Sequence, residues 1–309
     1  RMSKKISILV PIYNSASFMN KLLEAIEGQR KASNWDLELV LVDDGSKDKS
    51  FEKIEELSKT YSYIKGIKLS KNFGHQIAVK TAMSNCTGDY IAIIDDDLQD
   101  PPSQLPGFFK YLDEGYDVAY GIRKNRKESL IKRLAYNSFY KVLKAMSDIH
   151  IPIDSGDFCV MKKEVLQNML KLQEQNPFLR GIRAWVGFKQ IGVEFERHAR
   201  FDGKSGYTLK KLLKIAMDGI FSFSTAPIRL ITLLGTVGFI FACVYSLNVA
   251  YNALVGNIEV KGFATLTIII SFFSSLILIC LGIIGEYIVR IYDEVRQRPY
   301  TVIEKTFNL

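Results

Sequence analysis

Between residues 6 and 122, short apolar runs alternate with longer stretches whose apolar residues recur every three or four positions. ISILVPIY (6–13), LELVLVDD (37–44), IKGIKLS (64–70), DYIAIIDDD (89–97) and YDVAYGI (116–122) have the length and make-up of strands. The intervening stretches SFMNKLLEAIEGQ (17–29), KSFEKIEELSKTY (49–61), GHQIAVKTAMSN (74–85) and PSQLPGFFKYLDEG (102–115) carry the helical period. Strands separated by helices of this length predict βαβ units and a mostly parallel α/β sheet. Ligands bind such sheets beyond the carboxyl ends of the strands. No internal repeat or low-complexity segment interrupts the pattern.

The pattern changes in the last third. Leu230 to Ile258 contains no charged residue, and neither does Gly262 to Gly285. Each run exceeds the ~20 residues that a helix needs to cross a bilayer. A pair of buried core helices is the competing explanation, and the length of both runs disfavours it. The expectation is a two-helix transmembrane hairpin, about 230–254 and 263–286, turning at Glu259-Val260-Lys261. Arg229 and GKSGYTLKKLLK (203–214) precede it, and Arg290, Arg296 and Arg298 follow. The excess of positive charge at both ends places the termini and the N-terminal domain on the cytoplasmic side of the inner (plasma) membrane. The first apolar run is too short for a cleavable signal. Expected segments are an α/β core at 1–122, an acceptor-side part at 123–229, the hairpin at 230–289 and a cytoplasmic tail at 290–309.

Composition adds little to the class. The 309 residues are 48% hydrophobic with a net charge of +8, a balance that excludes a disordered chain. The four cysteines are scattered without CxxC spacing, so neither a disulfide framework nor a zinc site is indicated. His75, His150 and His198 lie far apart in sequence and are expected at structural or surface positions. Residues 123–144 hold eight basic residues against one acid, Glu128, interleaved with apolar and aromatic residues. This describes a basic amphipathic helix suited to an anionic membrane surface; an ordinary solvated helix is the plainer alternative. Nucleic acid binding is set aside, because no recognition motif accompanies the charge.

The chemistry concentrates where strands end: Pro11-Ile12-Tyr13-Asn14, Asp43-Asp44-Gly45-Ser46 and Asp95-Asp96-Asp97. On a continuing strand Asp95 and Asp97 share one face, with Asp96 opposite. Two carboxylates on one face suit a hard divalent cation, which in turn bridges a diphosphate. Pro101 and Pro102 stiffen the following loop. An acid in DDGS can accept from a base N–H or a ribose hydroxyl, while Ser46 or Asp48 caps the next helix.

VPIYN, VDDGSKD, LSKNFGHQ, DDDLQDPP and SGDFCVM, in this order and ahead of two apolar runs, resemble glycosyltransferase family 2. The likeness is nearest to its polyprenyl-phosphate branch, which includes dolichol-phosphate mannose synthases and bactoprenol glucosyltransferases. The resemblance implies a GT-A nucleotide-sugar domain with a Rossmann-like sheet. It implies inverting transfer of a hexose, glucose first, from a UDP-linked donor to undecaprenyl or another polyprenyl phosphate, with Mg²⁺ or Mn²⁺. A homo-oligomer such as a tetramer is also implied. Asp95, Asp97 and Gln99 match the metal- and diphosphate-binding positions. Pro11, Tyr13, Asp43 and Asp44 match nucleotide contacts, with Asp96 grouped beside them. Arg123, Arg133, Arg200 and Lys204 correspond to basic positions for the acceptor phosphate. Asp157 and Asp97 are the expected catalytic pair. A phosphate monoester is largely dianionic at neutral pH, its second pKa being ~6, so it hardly needs a base. Asp157 is therefore expected to orient groups more than to remove a proton. Three departures stand out: Ser15 where the family has an acid, His75-Gln76 after NFG, and Ser205-Gly206-Tyr207 behind Lys204. Two alternatives are a processive polysaccharide synthase, whose Q-x-x-R-W motif is absent (RGIRAW, 180–185, is nearest), and an inactive membrane scaffold.

Overall fold

The computed structural model describes residues 4–123, 155–172, 174–175, 177–195, 226–255 and 262–309. The chain divides into two units. One combines the N-terminal two thirds with residues from Arg298 onward, and the other is built mainly from Lys214–Gln297.

The first unit is a mixed eight-stranded sheet with helices packed on it. Its elements are β1 (Lys5–Ile12), α1 (Met19–Ser33), β2 (Asp36–Asp43), α2 (Ser50–Thr60), β3 (Ile64–Leu69), α3 (His75–Ser84) and β4 (Tyr90–Ile93). A 3₁₀ turn (Pro102–Gln104), α4 (Leu105–Asp113) and β5 (Val118–Arg123) follow. Then come β6 (Ser155–Lys162), α5 (Lys163–Leu170), α6 (Leu179–Trp185), β7 (Gln190–Phe195) and, far along the chain, β8 (Ile303–Phe307). The strand order is β7-β5-β6-β4-β1-β2-β3-β8. β1 pairs in parallel with β2 and β4, β2 with β3, and β5 with β7, whereas β6 and β8 run antiparallel to their neighbours. Six strands thus point one way; five of them, β1 to β5, are those the alternation of runs predicts, and β7 is an addition.

β1 and β2 are buried along nearly their whole length, the signature of a parallel strand covered on both faces. Ile8, Val10 and Ile12 of β1 join Leu39 and Leu41 of β2 and residues of α1, α2 and α4 in one continuous core. α3 crosses β1 and β2, burying Ile77, Ala78, Ala82 and Met83. Each fully buried Leu or Ile contributes about 1.5–3 kcal/mol relative to exposure. The segment 155–195 and β8 supply strands that the sequence pattern does not announce. β8 binds the β3 edge, with Lys68 Nζ 3.0 Å from Glu304 Oε1. Asn308 Nδ2 donates to the carbonyls of Ser58 and Ile64 at 2.7 and 2.9 Å.

The second unit contains α7 (Ala226–Leu254) and α8 (Phe263–Val295), of 29 and 33 residues. Within α8, Phe272–Val295 contains an 18-residue window with a mean hydropathy of 2.2, and among the described residues this is the one helix long and apolar enough to cross a membrane. α7 carries a shorter apolar stretch, Ile231–Tyr245. Phe239, Leu247 and Leu278 are at least 70% exposed. Apolar surface of that extent calls for a non-aqueous partner. Gly235, Gly238 and Phe273 help to line an apolar groove of about 390 Å³ in this unit.

Candidate active site

The site is built at the carboxyl ends of β1, β2 and β4, where β6 begins. The turn after β1 is stitched to the turn after β2. Asn14 N–H donates to Ser46 Oγ at 2.9 Å, and Lys47 N–H donates to Asn14 Oδ1 at 2.8 Å. Asp48 Oδ1 accepts from Ser50 N–H at 3.0 Å just ahead of α2, whose N-cap is Lys49 without a side-chain cap, not Ser46 or Asp48, while Asp48 Oδ2 accepts from Ala16 N–H at 3.1 Å. Pro11 lies within β1, and Tyr13 at its mouth is 45% exposed, so its ring is available to a flat ligand.

The two acids after β2 have different surroundings. Asp44 accepts from Phe73 N–H at 2.7 Å and Gly74 N–H at 3.0 Å, so it pins the loop that leads into α3. Asp43 is fully buried; its Oδ2 accepts from Ser46 N–H at 3.3 Å, and Oδ1 has no hydrogen-bond partner. Burial raises the pKa of both. The turn requires Gly45. Its φ is +66°, and a Cβ there would come within 2.4 Å of the Lys71 carbonyl carbon.

Asp95, Asp96 and Asp97 lie beyond the last ladder residue of β4, in the turn rather than on the strand. The shared-face expectation therefore needs correction, because the chain leaves the sheet at Ile94 and Leu98 adopts a φ of +55°. The three carboxylates are nonetheless sorted. Asp96 accepts from Ser15 Oγ. Burial lifts it to about 6 despite that bond, and the neighbouring Asp95 adds to the rise. Asp97 Oδ1 accepts from Gln99 N–H at 3.1 Å. Asp95 Oδ1 stands 3.7 Å from His75 Nε2. Ser15 thus explains one departure: an acid at that position would confront Asp96.

Asp157, near the start of β6, is gripped by Arg180 of α6, with Nε–Oδ1 at 2.7 Å and Nη2–Oδ2 at 3.0 Å. His75 Nε2 lies 3.5 Å from Asp157 Oδ2. Burial opposes the charge on Asp157, yet Arg180 and His75 hold its pKa well below the usual carboxylate range. Burial likewise opposes the imidazolium of His75, but Asp157 and Asp95 outweigh it and lift its pKa to about 9. His75 keeps the surface position expected of it, with its side chain 42% exposed, and its place between Asp157 and Asp95 makes it a candidate site residue as well. Its sequence signal is the departure after NFG.

Asp95 and Asp97 are the two carboxylates that could hold a hard cation. Among the described residues no group of three or more His, Cys, Asp or Glu converges on one point. Such a donor set fits Mg²⁺ or Mn²⁺ held partly by substrate phosphates, not a metal caged by protein alone. Gln99 sits in the same turn, half-buried. Arg123 ends β5, whereas Arg133, Arg200, Lys204 and nearly all of the basic stretch 123–144 fall outside the described residues.

The chain is a glycosyltransferase: it belongs to glycosyl transferase family 2, whose sequence profile matches residues 7–170. It is 40% identical over 304 residues to the uncharacterized glycosyltransferase YkcC of Bacillus subtilis, covering 98% of this chain and 94% of that one. It is 33% identical over 303 residues to the SfII prophage-derived bactoprenol glucosyl transferase of Shigella flexneri, covering 98% of each. Among solved structures, the mannosyltransferase PcManGT from Pyrobaculum calidifontis, in complex with GDP-Man and Mn²⁺, aligns at a TM-score of 0.48. The identity is 18%, over 90% of this chain and 87% of that one.

Proposed function

We propose that this glycosyltransferase moves a hexosyl group, glucose in the first instance, from UDP-hexose to undecaprenyl or another polyprenyl phosphate, with inversion at the anomeric carbon. The observation that carries the proposal is His75 standing between Asp157 and Asp95, at 3.5 and 3.7 Å, beside the turn that also holds Asp97, in a chain so similar end to end to a bactoprenol glucosyl transferase. In the reaction an acceptor phosphate oxygen bonds to the anomeric carbon. The bond from that carbon to the donor diphosphate breaks, and its electron pair leaves with UDP.

The residues divide the work. Asp43 Oδ1, buried and without a partner, suits a base N–H, and Tyr13 offers a ring for the base to lie against. Asp95, Asp97 and Gln99 would hold Mg²⁺ or Mn²⁺, which when bound offsets the charge developing on the departing diphosphate. Asp157, paired to a guanidinium on both oxygens, orients the site and is poorly suited to accept a proton. Arg123, Arg133, Arg200 and Lys204 are assigned to the acceptor phosphate. α7 and α8 form the membrane hairpin, with both ends and the sheet in the cytoplasm, and the protein assembles as a homo-oligomer.

A donor panel tests the proposal. Purified protein in detergent receives undecaprenyl phosphate, Mg²⁺ or Mn²⁺, and labelled sugar nucleotides one at a time. The expected result is label entering the lipid phase from UDP-glucose. Transfer from a different donor would correct the sugar, and transfer from none would overturn the reaction.

A further inference from the structure

Arg180 makes two parallel bonds to Asp157 from one planar guanidinium. Such a fork fixes the plane of a carboxylate as well as its position, which a lysine at the same place does not. Gln76 secures the same joint from α3. Its Oε1 accepts from Leu179 N–H at 3.0 Å, at the start of α6, and its Nε2 lies 3.4 Å from Asp157 Oδ2. His75, the residue before Gln76, stands between Asp157 and Asp95. Side chains from α3, β6 and α6 thus form one line that ends at the turn after β4.

We infer that Arg180, braced by Gln76, is a positioning residue for glycosyl transfer: it sets the orientation of Asp157 and, through Asp157, of His75 beside Asp95. The inference rests on the transferase function proposed above and adds two residues to it. Neither lies among the strand-end acids that hold the donor. Their loss therefore misaligns the reacting groups while nucleotide binding survives. Misalignment of a bound reactant acts on kcat, because near-attack geometry is lost while ground-state contacts remain.

The experiment compares the parent with Arg180→Gln, Arg180→Lys, Asp157→Asn and the double variant Asp157→Asn/Arg180→Gln. Arg180→Gln is expected to lower kcat by about 100-fold, with KM for the nucleotide sugar within about twofold. Arg180→Lys restores charge without the fork and is expected to recover less than about a tenth of that loss. The double variant is expected to be no slower than the slower single variant, because both break one unit. A role in stability alone would instead lower the melting temperature while kcat per folded molecule and KM stayed at the parent's values. Near-parent kcat in Arg180→Gln, full rescue by lysine, or losses that multiply in the double variant would each overturn the inference. If Arg180→Gln fails to fold, the lysine variant carries the comparison. If the parent transfers from no donor, the proposed reaction falls. The melting temperatures of the same proteins then judge the pair: non-additive losses support it and additive losses overturn it.

Discussion

Asp95 and Asp97 stand in the turn beyond the β4 ladder, clustered with Asp96, so removing one carboxylate relieves like-charge repulsion that offsets its lost contacts. Asp95→Ala and Asp97→Ala are each expected to lower transfer at least about 100-fold with an unchanged melting temperature; full activity in either would refute their assignment. Glu38 behaves in the opposite way. It is 3% exposed at the far end of the sheet. It accepts from Ser7 Oγ, from Thr87 N–H at 2.7 Å and from Lys65 Nζ at 2.9 Å. Burial alone would raise its pKa, but these donors bring it down from 4.5 to about 2. A carboxylate depressed on folding stabilises fully above its unfolded pKa and loses that contribution as pH falls through the folded one. Glu38→Gln should therefore cost on the order of 3 kcal/mol at neutral pH, and the difference from the parent should shrink between pH 4.5 and 2. Thermal melting across that range checks it. The acid cluster is legible in the sequence because strand ends in a parallel sheet converge. Arg180 is not legible, and His75 shows only as the departure after NFG, because their roles depend on a pairing across α3, β6 and α6 that no local spacing encodes.

At the scale of elements, β1 to β5 follow from apolar runs of strand length. β6, β7 and β8 escape because SGDFCVMK, QIGVEF and IEKTF mix polar and apolar residues, and their partners lie far away in sequence. The alternation also extends β4 through Asp97, whereas the ladder stops at Ile93; three carboxylates end a strand better than they continue it. The turn between β2 and α2 offers a sharp test. At Gly45 a methyl group meets the Lys71–Asn72 backbone in a left-handed conformation. Gly45→Ala should destabilise the first unit by about 2 kcal/mol, seen as a melting temperature lowered by several degrees.

At the scale of the whole molecule, α7 and α8 interrupt the sheet unit in the chain without interrupting it in space, since β8 returns to the β3 edge. If the two helices form the proposed hairpin, Lys261→Cys should react with a membrane-impermeant thiol reagent on intact cells, and a cysteine at Glu304 should not. The reverse labelling would invert the orientation, and equal labelling would exclude the hairpin. The same return of the chain constrains when the enzyme becomes whole. Synthesis runs from the N-terminus, so β8 leaves the ribosome after both apolar helices. Until then β3 presents an open edge, which is a site for wrong pairing. Completion of the sugar-handling sheet is thereby deferred until the hydrophobic segments have been delivered, so nascent chains stalled short of β8 lack the strand that closes that edge.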